Sequence, residues 1–328
     1  MPTQRRTFLS TAFAAALAPA LAPLAWAQGK YPARPIALVD AFAAGGSTDI
    51  FARILGERMG PLLGGSVVVE NRAGAGGALG ADYVAKARPD GYTLGLATVS
   101  TLVSNPAVNP KLNYDPQKDF AYITKLLVVP SVLVVHPSLP VKNLRELIAL
   151  AKAKPETLAF ASPGNGSAGH VLLEQFMQVA GVRFVHVPYR GGSNATNDLL
   201  GGQVQVSSDN LPSMLPHIQA GRVRALAVRD NKRLELLPDV PTYAEAGYPE
   251  VSQPLWFGLV APAGTPADIV AHLNAVAHKA VASSVFQDRL KSVGATAAMS
   301  TPEAFRKEAA ELLERYRKVA KAANIQVG

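Results

Sequence analysis

The chain has 328 residues, of which 48% are hydrophobic and 17% charged; its formal net charge is +8 and it contains no cysteine. This length suits two domains, and the low charged fraction excludes long disordered tails. The missing cysteine excludes disulfides, thiolate catalysis and cysteine-ligated metals. Since the basic residues are scattered, their excess indicates small anionic partners and not nucleic acid.

Residues 1–27 are interpreted as an export signal that is removed. Arg5 and Arg6 begin a basic segment, an Ala/Leu-rich run follows, and Ala25-Trp26-Ala27 fits the small-x-small rule for cleavage. The paired arginines favour a twin-arginine signal, with a general secretion signal as the alternative. Pro19 and Pro23 interrupt the apolar run, which argues against a retained membrane anchor. We therefore expect a soluble periplasmic protein.

The stretch 36–49 predicts a strand, a turn of small residues and a helix. A buried strand at 36–39 leads into Ala43-Ala44-Gly45-Gly46, and Ser47 or Thr48 is expected to cap the helix that follows. Such a turn directs several backbone N–H groups to one point, which favours binding of an anion. The alternative is an ordinary turn between a strand and a helix.

Strand-like and helix-like segments alternate along the rest of the chain, so we predict an α/β fold with mostly parallel sheets flanked by helices. The stretch 105–120 is expected to be a long surface connection, and an apolar run at 123–135 precedes a second series of elements. Strands are predicted at 67–70, 92–97, 158–161, 183–187, 204–208, 223–228 and 256–260, and helices at 78–87, 143–153, 168–180 and 213–220.

Small and polar residues recur in the loops where these strands end, at 43–48, 74–77, 98–101, 162–167, 189–193 and 208–210. Ligands of open α/β sheets bind outside the carboxyl ends of the strands. Because these loops divide between two series of elements, we expect a binding cleft between two lobes. The alternative is that glycine, serine and proline only mark turns.

No catalytic motif is complete. The pattern G-x-G-x-x-G at 164–169 lacks the acid that a dinucleotide-binding fold needs at the end of the next strand. Neither Ser47 nor Ser167 lies in a full G-x-S-x-G, and the histidines form no H-E-x-x-H. His170 is either a helix-start residue or a ligand donor, and Asp209 is either a ligand-orienting group or a cap for helix 213–220. We expect no catalytic residue, no metal and no cofactor.

The chain resembles the Bug family of extracytoplasmic receptors, the substrate-binding components of tripartite tricarboxylate transporters. Stretches that match the family run in its order through nearly the whole chain after residue 27. They are YPARPI (31–36), AAGGSTDIFAR (43–53), VVVENRAGAGGALG (67–80), ARPDGYTL (87–94), DPQKDF (115–120), SPGNGSAGH (162–170), HVPYRGG (186–192), SDNLPSMLPHIQAGRVRALAV (208–228), LPDVPTYAEAGY (237–248) and WFGLVAPAGTP (256–266).

The resemblance implies a two-lobed periplasmic-binding fold, similar to type II, with two hinge crossovers. Lobe 1 would comprise 28–128 and 253–328, and lobe 2 would comprise 129–252. The implied ligand is a small carboxylate: a di- or tricarboxylate, an acidic amino acid or an aromatic acid. The implied partners are the membrane subunits of a transporter or, alternatively, a sensor kinase. We expect a monomer; an exported enzyme is the third alternative.

The resemblance also implies a ligand site on the loops, and two residues depart from the family pattern. Asp40 stands in an Asp-Ala-Phe stretch where the family usually has Val-Pro-Phe, and it would repel a carboxylate unless it pointed away. Ser208 stands where a phenylalanine often precedes the Asp-Asn pair, which widens the pocket or makes it more polar. The expected ligand-binding residues are Phe42, Ala43, Ala44, Gly45, Gly46, Ser47, Thr48, Thr98, Ser100, Thr101, Ser162, Gly164, Asn165, Gly166, Ser167, His170, Tyr189 and Asp209.

Overall fold

The structure is a computed structural model, and it describes residues 31–322, 324, 325 and 327. The predicted export signal at 1–27 lies outside the described residues. Across the described part of the chain, no helix is both long enough and apolar enough to cross a membrane.

The described residues form eleven strands and ten α-helices. The strands are β1 (Ile36–Asp40), β2 (Val67–Asn71), β3 (Thr93–Thr98), β4 (Phe120–Val129), β5 (Ser131–Val135), β6 (Ala159–Ser162), β7 (Val185–Pro188), β8 (Val206–Asn210), β9 (Arg224–Arg229), β10 (Leu255–Pro262) and β11 (Thr296–Ala297). The helices are α1 (Ser47–Leu63), α2 (Ala78–Ala85), α3 (Asn105–Val108), α4 (Leu144–Ala153), α5 (Ala168–Ala180), α6 (Gly192–Leu200), α7 (Leu211–Gln219), α8 (Ala267–Ala282), α9 (Ser284–Ser292) and α10 (Pro302–Ala322).

The strands form two mixed sheets, of six and five strands. The first has the order β11-β4-β10-β3-β1-β2 and the second the order β7-β6-β8-β5-β9. Only the pairs β1–β2, β1–β3, β6–β7 and β6–β8 are parallel; β10 is antiparallel to β3 and β4, and β5 to β8 and β9. The expectation of mostly parallel sheets was therefore wrong. The strands that carry the chain between the two sheets enter each sheet in the reverse direction.

Within the described residues, the chain passes between the sheets twice. The apolar run at 123–135 contains most of β4 and all of β5, which lie in different sheets, with Pro130 alone between them. Proline has no N–H for a β-ladder, so the pairing of β4 ends there. The return path runs from the end of β9 through 230–254 to β10.

Both faces of the second sheet are buried, which explains the continuous apolar sequence of its central strand. Leu133 and Val135 of β5 pack in one hydrophobic cluster, with Phe160 and Phe176. Their neighbours on the strand, at 132 and 134, point to the other face and pack there, because successive side chains of a strand alternate. On the first sheet, Trp256 and Val260 of β10 pack with Phe305 of α10.

Two sequence expectations differ from the structure. The stretch 105–120 is not only a surface connection: it contains α3, and Tyr114 is buried with its hydroxyl donating to Thr101 O. The helix predicted at 213–220 begins earlier, at Leu211, because Asn210 adopts extended N-cap geometry and Pro212 fits the first turn of a helix.

Candidate ligand-binding site

A cavity of about 50 Å³ lies where residues of the two sheets meet. A single water needs about 10–15 Å³ on this measure, so the cavity has room for several waters or a small molecule. Its walls come from the ends of β3 and β8–β9, the starts of β5 and β10, and the starts of three helices. The lining residues are Phe42, Gly46, Ser47, Thr48, Thr98, Val99, Ser100, Ser131, Pro163, Ala168, Gly169, Gly192, Ser208, Asp209, Asn210, Arg229, Leu255, Trp256 and Phe257.

Three helix N-termini meet at this cavity. The first turn of α1 contributes Ser47 and Thr48, α5 contributes Ala168, and α6 contributes Gly192. The first four N–H groups of a helix have no partner inside the helix, and the helix dipole adds partial positive charge there. Three such ends around one small space favour an anionic group in it.

The start of α1 differs from the prediction. The N-cap is Gly46, not Ser47 or Thr48, and no side chain among the described residues caps this helix. Both hydroxyls bond elsewhere: Ser47 Oγ accepts from Ser213 N at 3.1 Å, and Thr48 Oγ1 donates to Asp40 Oδ2 at 2.9 Å. The N–H groups of the first turn are therefore not satisfied by a serine or threonine cap.

Two backbone amides in the loop between β1 and α1 (residues 41–46) bind the protein's own carboxylates. Phe42 N donates to Asp40 Oδ1 at 3.2 Å, and Gly45 N donates to Asp49 Oδ2 at 3.0 Å. The Asn71 side chain donates to both acids, at 3.2 Å and 3.0 Å. The amides that remain beside the cavity belong to Gly46 and the first turn of α1. Two amides of the predicted anion-binding loop therefore already have partners within the protein.

Asp40 lies beneath the loop, and its side chain does not line the cavity. Its burial raises the pKa to about 7, against the lowering effect of the hydrogen bonds from Thr48 and Phe42. Burial also acts to raise the pKa of Asp49, but hydrogen bonds from Arg53 and other donors outweigh it and lower that pKa. The acid that departs from the family pattern therefore supports the loop and does not face the ligand space.

The end of β3 is held by a pair of threonines. Thr98 N donates to Thr101 Oγ1 at 3.0 Å, and Thr101 N donates to Thr98 Oγ1 at 3.2 Å. Thr98 lines the cavity, whereas Thr101 does not. Between them, Ser100 Oγ accepts from Ala168 N at 3.0 Å. This bond connects the end of a strand in the first sheet with the start of α5, which follows a strand of the second.

The polar groups of loop 162–167 bond mainly within their own region. Ser162 Oγ lies 2.6 Å from His186 Nε2, and Ser167 caps α5 by accepting from His170 N at 3.2 Å. His170 Nδ1 accepts from Gly166 N, and its ring stacks on that of His186 with the centroids 4.1 Å apart. Burial, with His170 nearby, lowers the pKa of His186 to about 4. His170 is thus a helix-start residue with an internal partner.

Three further residues of that loop approach the first sheet's loops closely. A Cβ on Gly166 would lie 2.1 Å from Asn105 Oδ1, and a Cβ on Gly76 would lie 2.3 Å from Asn165 O. Gly164, with φ of 133°, would also meet Gly76 N at 2.9 Å if it carried a Cβ. These glycines allow the loops to approach each other closely.

Tyr189 and Asp209 lie at different places. The Tyr189 hydroxyl donates to Asp198 at 2.7 Å, away from the cavity. Asp209 lines the cavity; it accepts from Asn210 N at 2.8 Å and from the Ser213 hydroxyl at 3.3 Å. Its burial raises the pKa to about 6. Asp209 therefore lies at the cavity and does not cap the following helix, whose N-cap is Asn210 without a side-chain cap among the described residues.

The expected site residues thus fall into two groups. Those on the cavity wall are Phe42, Gly46, Ser47, Thr48, Thr98, Ser100 and Asp209; those off it are Ala43, Ala44, Gly45, Thr101, Ser162, Gly164, Asn165, Gly166, Ser167, His170 and Tyr189. Ala44 and Gly45 are exposed. A ligand-binding role for any of these residues stays a prediction.

Sequence reasoning missed one wall of the cavity, formed by Ser131, Asn210, Arg229 and Trp256 with the apolar side chains beside them. Arg229 is only 2% exposed; its Nε donates to Val251 O at 2.6 Å and its Nη1 to Ser131 Oγ at 3.3 Å. The available signal was its position one residue after a predicted strand, at 223–228. A charged residue at a strand end is a candidate for the ligand edge of the sheet.

Comparisons with known proteins show what the chain is similar to. Residues 51–325 match the family described as the tripartite tricarboxylate transporter family receptor. The protein BugT of Bordetella pertussis (strain Tohama I) is 40% identical over 287 residues, covering 87% of this chain and 88% of BugT.

Solved structures agree with these matches. The periplasmic binding protein BugD has a TM-score of 0.88 and 36% identity, covering 90% of this chain and 99% of BugD. The R. palustris protein Rpa4515, solved with adipate, has a TM-score of 0.86 and 37% identity over 90% and 99% of the two chains. MatC from Rhodopseudomonas palustris, solved with malate, has a TM-score of 0.84 and 34% identity over 88% and 99%. The predicted two-lobed periplasmic-binding fold is confirmed.

Proposed function

Because this chain belongs to the family of tripartite tricarboxylate transporter receptors, which are periplasmic solute-binding proteins, we propose that it captures a small carboxylate in the cavity between its sheets. The bound acid is then delivered to the membrane subunits of a transporter. The protein changes no bond of its ligand and needs no metal or cofactor. We further propose that residues 1–27 direct export to the periplasm, where the monomer acts.

One observation carries this proposal: the uncapped start of α1 lies beside the starts of α5 and α6 at a single cavity. A carboxylate there would accept from N–H groups that the helix itself leaves without partners. The similar structures with adipate and malate support an acid as the ligand. Waters would complete the contacts that the acid does not reach.

We also propose that the lobes are 28–128 with 253–328 and 129–252, and that they close over the ligand. Ser47 Oγ accepts from Ser213 N, and Ser100 Oγ accepts from Ala168 N; each bond crosses from one proposed lobe to the other. A ligand that touches both lobes binds the closed form more tightly and so shifts the population toward it.

The test is a thermal-shift screen of the purified protein against aliphatic, aromatic and amino-acid carboxylates. Each acid is paired with its primary amide, which has nearly the same shape without the charge. A ligand that binds only the folded state raises the melting temperature, by an amount that grows with its concentration. We expect acids to raise it and their amides not to. Stabilisation by neutral or cationic compounds alone would overturn the proposal.

A further inference from the structure

The lining of the cavity also includes a buried cation. Arg229 ends β9, lines the cavity and is only 2% exposed. The guanidinium donates to two neutral acceptors, Val251 O and Ser131 Oγ. A guanidinium has five N–H groups, so these two bonds leave most of its donors for other partners.

No carboxylate of the described residues forms an ion pair with Arg229. Asp209, on the same cavity, is bound instead by Asn210 N and the Ser213 hydroxyl. The aromatic ring beneath the guanidinium belongs to Tyr243, 5.3 Å away, and burial raises the pKa of that phenol to about 12, so it carries no charge. Burial of a cation is unfavourable unless an anion or several acceptors compensate it.

Two further lining residues each carry a buried polar atom without a hydrogen-bond partner in the described part of the chain. The atoms are Trp256 Nε1 and Asn210 Oδ1. Ser131 pairs with Asn210 on one side and with Arg229 on the other, so these three side chains form a row across β8, β5 and β9. An indole N–H can only donate, and an amide can donate after rotation by 180°.

We propose that Arg229, Trp256 and Asn210 form a second anion-binding subsite, and that the ligand is therefore a dicarboxylate held at both ends. This inference rests on the proposed function, which supplies the first carboxylate at the helix starts. A guanidinium binds a carboxylate through two parallel N–H···O bonds, and the indole N–H adds a third donor. Phe257 and Leu255 line the cavity beside these groups and suit the methylene chain between two acid groups.

The alternative is that Arg229 only holds Val251 and Ser131 in place near the crossings between the sheets. The two roles predict different responses to the charge at the far end of the ligand. A subsite distinguishes a second carboxylate from a neutral amide, whereas a purely structural arginine affects every ligand equally.

The first experiment uses the unmodified protein. Binding of succinate, malate, glutarate and adipate is measured by isothermal titration calorimetry, each beside its half-amide, which keeps one carboxylate and the chain length. We expect the best dicarboxylate to bind about 10- to 100-fold more tightly than its half-amide, the range for hydrogen bonds to charged groups. Equal binding of the two would overturn the inference and leave the proposed function standing. Failure of every acid to bind would overturn both.

The second experiment removes the subsite by steps. Trp256→Phe deletes the N–H and keeps the ring that packs on Phe305 with the centroids 5.1 Å apart; we expect dicarboxylate affinity to fall about 3- to 10-fold. Arg229→Met should reduce it about 10- to 100-fold. Neither variant should change binding of the half-amide more than about twofold. The matched control is Arg224→Met on the same strand, whose guanidinium donates to Val141 O and does not line the cavity.

Equal losses for diacid and half-amide in both variants would assign Arg229 a structural role and overturn the inference. If Arg229→Met does not fold, Trp256→Phe and the half-amide comparison decide the question without it.

Discussion

As the pH rises from 5 to 8, the Asp40→Asn variant should become more stable relative to the unmodified protein. Asp40 is fully buried, and this burial raises its pKa from the ordinary 3.8 to about 7. The folded state therefore binds this proton more tightly than the unfolded state does. The stability that the group contributes is present below pH 4 and is lost as the pH rises through 7.

The size of the effect follows from the two pKa values of Asp40. Over the interval from pH 5 to pH 8, a shift from 3.8 to about 7 corresponds to a loss of about 2–3 kcal/mol in the free energy of unfolding. Asparagine does not titrate. It keeps an acceptor for Phe42 N, but its NH₂ group faces the donors Thr48 Oγ1 and Asn71 Nδ2. That mismatch costs about 1 kcal/mol at every pH.

The assay is urea unfolding of both proteins at pH 5 and pH 8. The difference in unfolding free energy between the variant and the unmodified protein is compared at the two pH values, because this comparison cancels the titration of all groups that the two proteins share. Asp115→Asn is the control. Burial acts to raise the pKa of Asp115, but hydrogen bonds from Gln117 and Lys118 lower it, so this carboxylate stays ionised from pH 5 to pH 8. If the stability gap between Asp40→Asn and the unmodified protein is the same at both pH values, the reasoning about a protonated acid beneath the loop is refuted.

Three other variants test the site and its surroundings. Gly192→Ala should reduce carboxylate affinity at least tenfold, because its Cβ would lie 2.1 Å from the Asp209 carboxylate; Gly201→Ala, whose Cβ meets nothing closer than 3.5 Å, should bind normally in the same titration. Ser100→Ala removes the hydroxyl that accepts from Ala168 N, so we expect carboxylate affinity to fall about 2- to 10-fold. Unchanged affinity would show that this hydrogen bond does not assist closure of the proposed lobes. His186→Gln should gain about 2–3 kcal/mol of stability relative to the unmodified protein between pH 7 and pH 4.5, because the pKa of His186 is lowered to about 4 and folding opposes its protonation. An equal stability difference at both pH values would contradict this.

The sequence predicts the first loop well because local signals determine it. A short continuous apolar run, a turn of small residues and an apolar helix face place β1 and α1 within a few residues of the observed bounds. The cap could not be assigned locally. Ser47 and Thr48 are good capping residues, but their hydroxyls bond Ser213 and Asp40, and the first of these lies 166 positions away in the chain.

The wall that contains Ser131 and Arg229 was missed because it depends on pairing between distant strands. Ser131 neighbours Arg229 only because β5 and β9 pair antiparallel, with 98 positions between the two residues. Hydrophobic periodicity gives the bounds of a strand but not its neighbours or its direction. For the same reason, the sequence suggested mostly parallel sheets. The strands that cross between the sheets reverse direction, and no local sequence pattern indicates this.

The proposed anion-binding site at α1 consists of backbone N–H donors without a side-chain cap. Every residue except proline supplies the same amide, so mutation can reshape this end of the site but can hardly alter its chemical preference. Changes in ligand specificity should therefore be concentrated on the wall that contains Arg229, where a single substitution replaces a guanidinium by a neutral group. Receptors built in this way can change the group that they recognise at one end of the ligand while they still require a carboxylate at the other end.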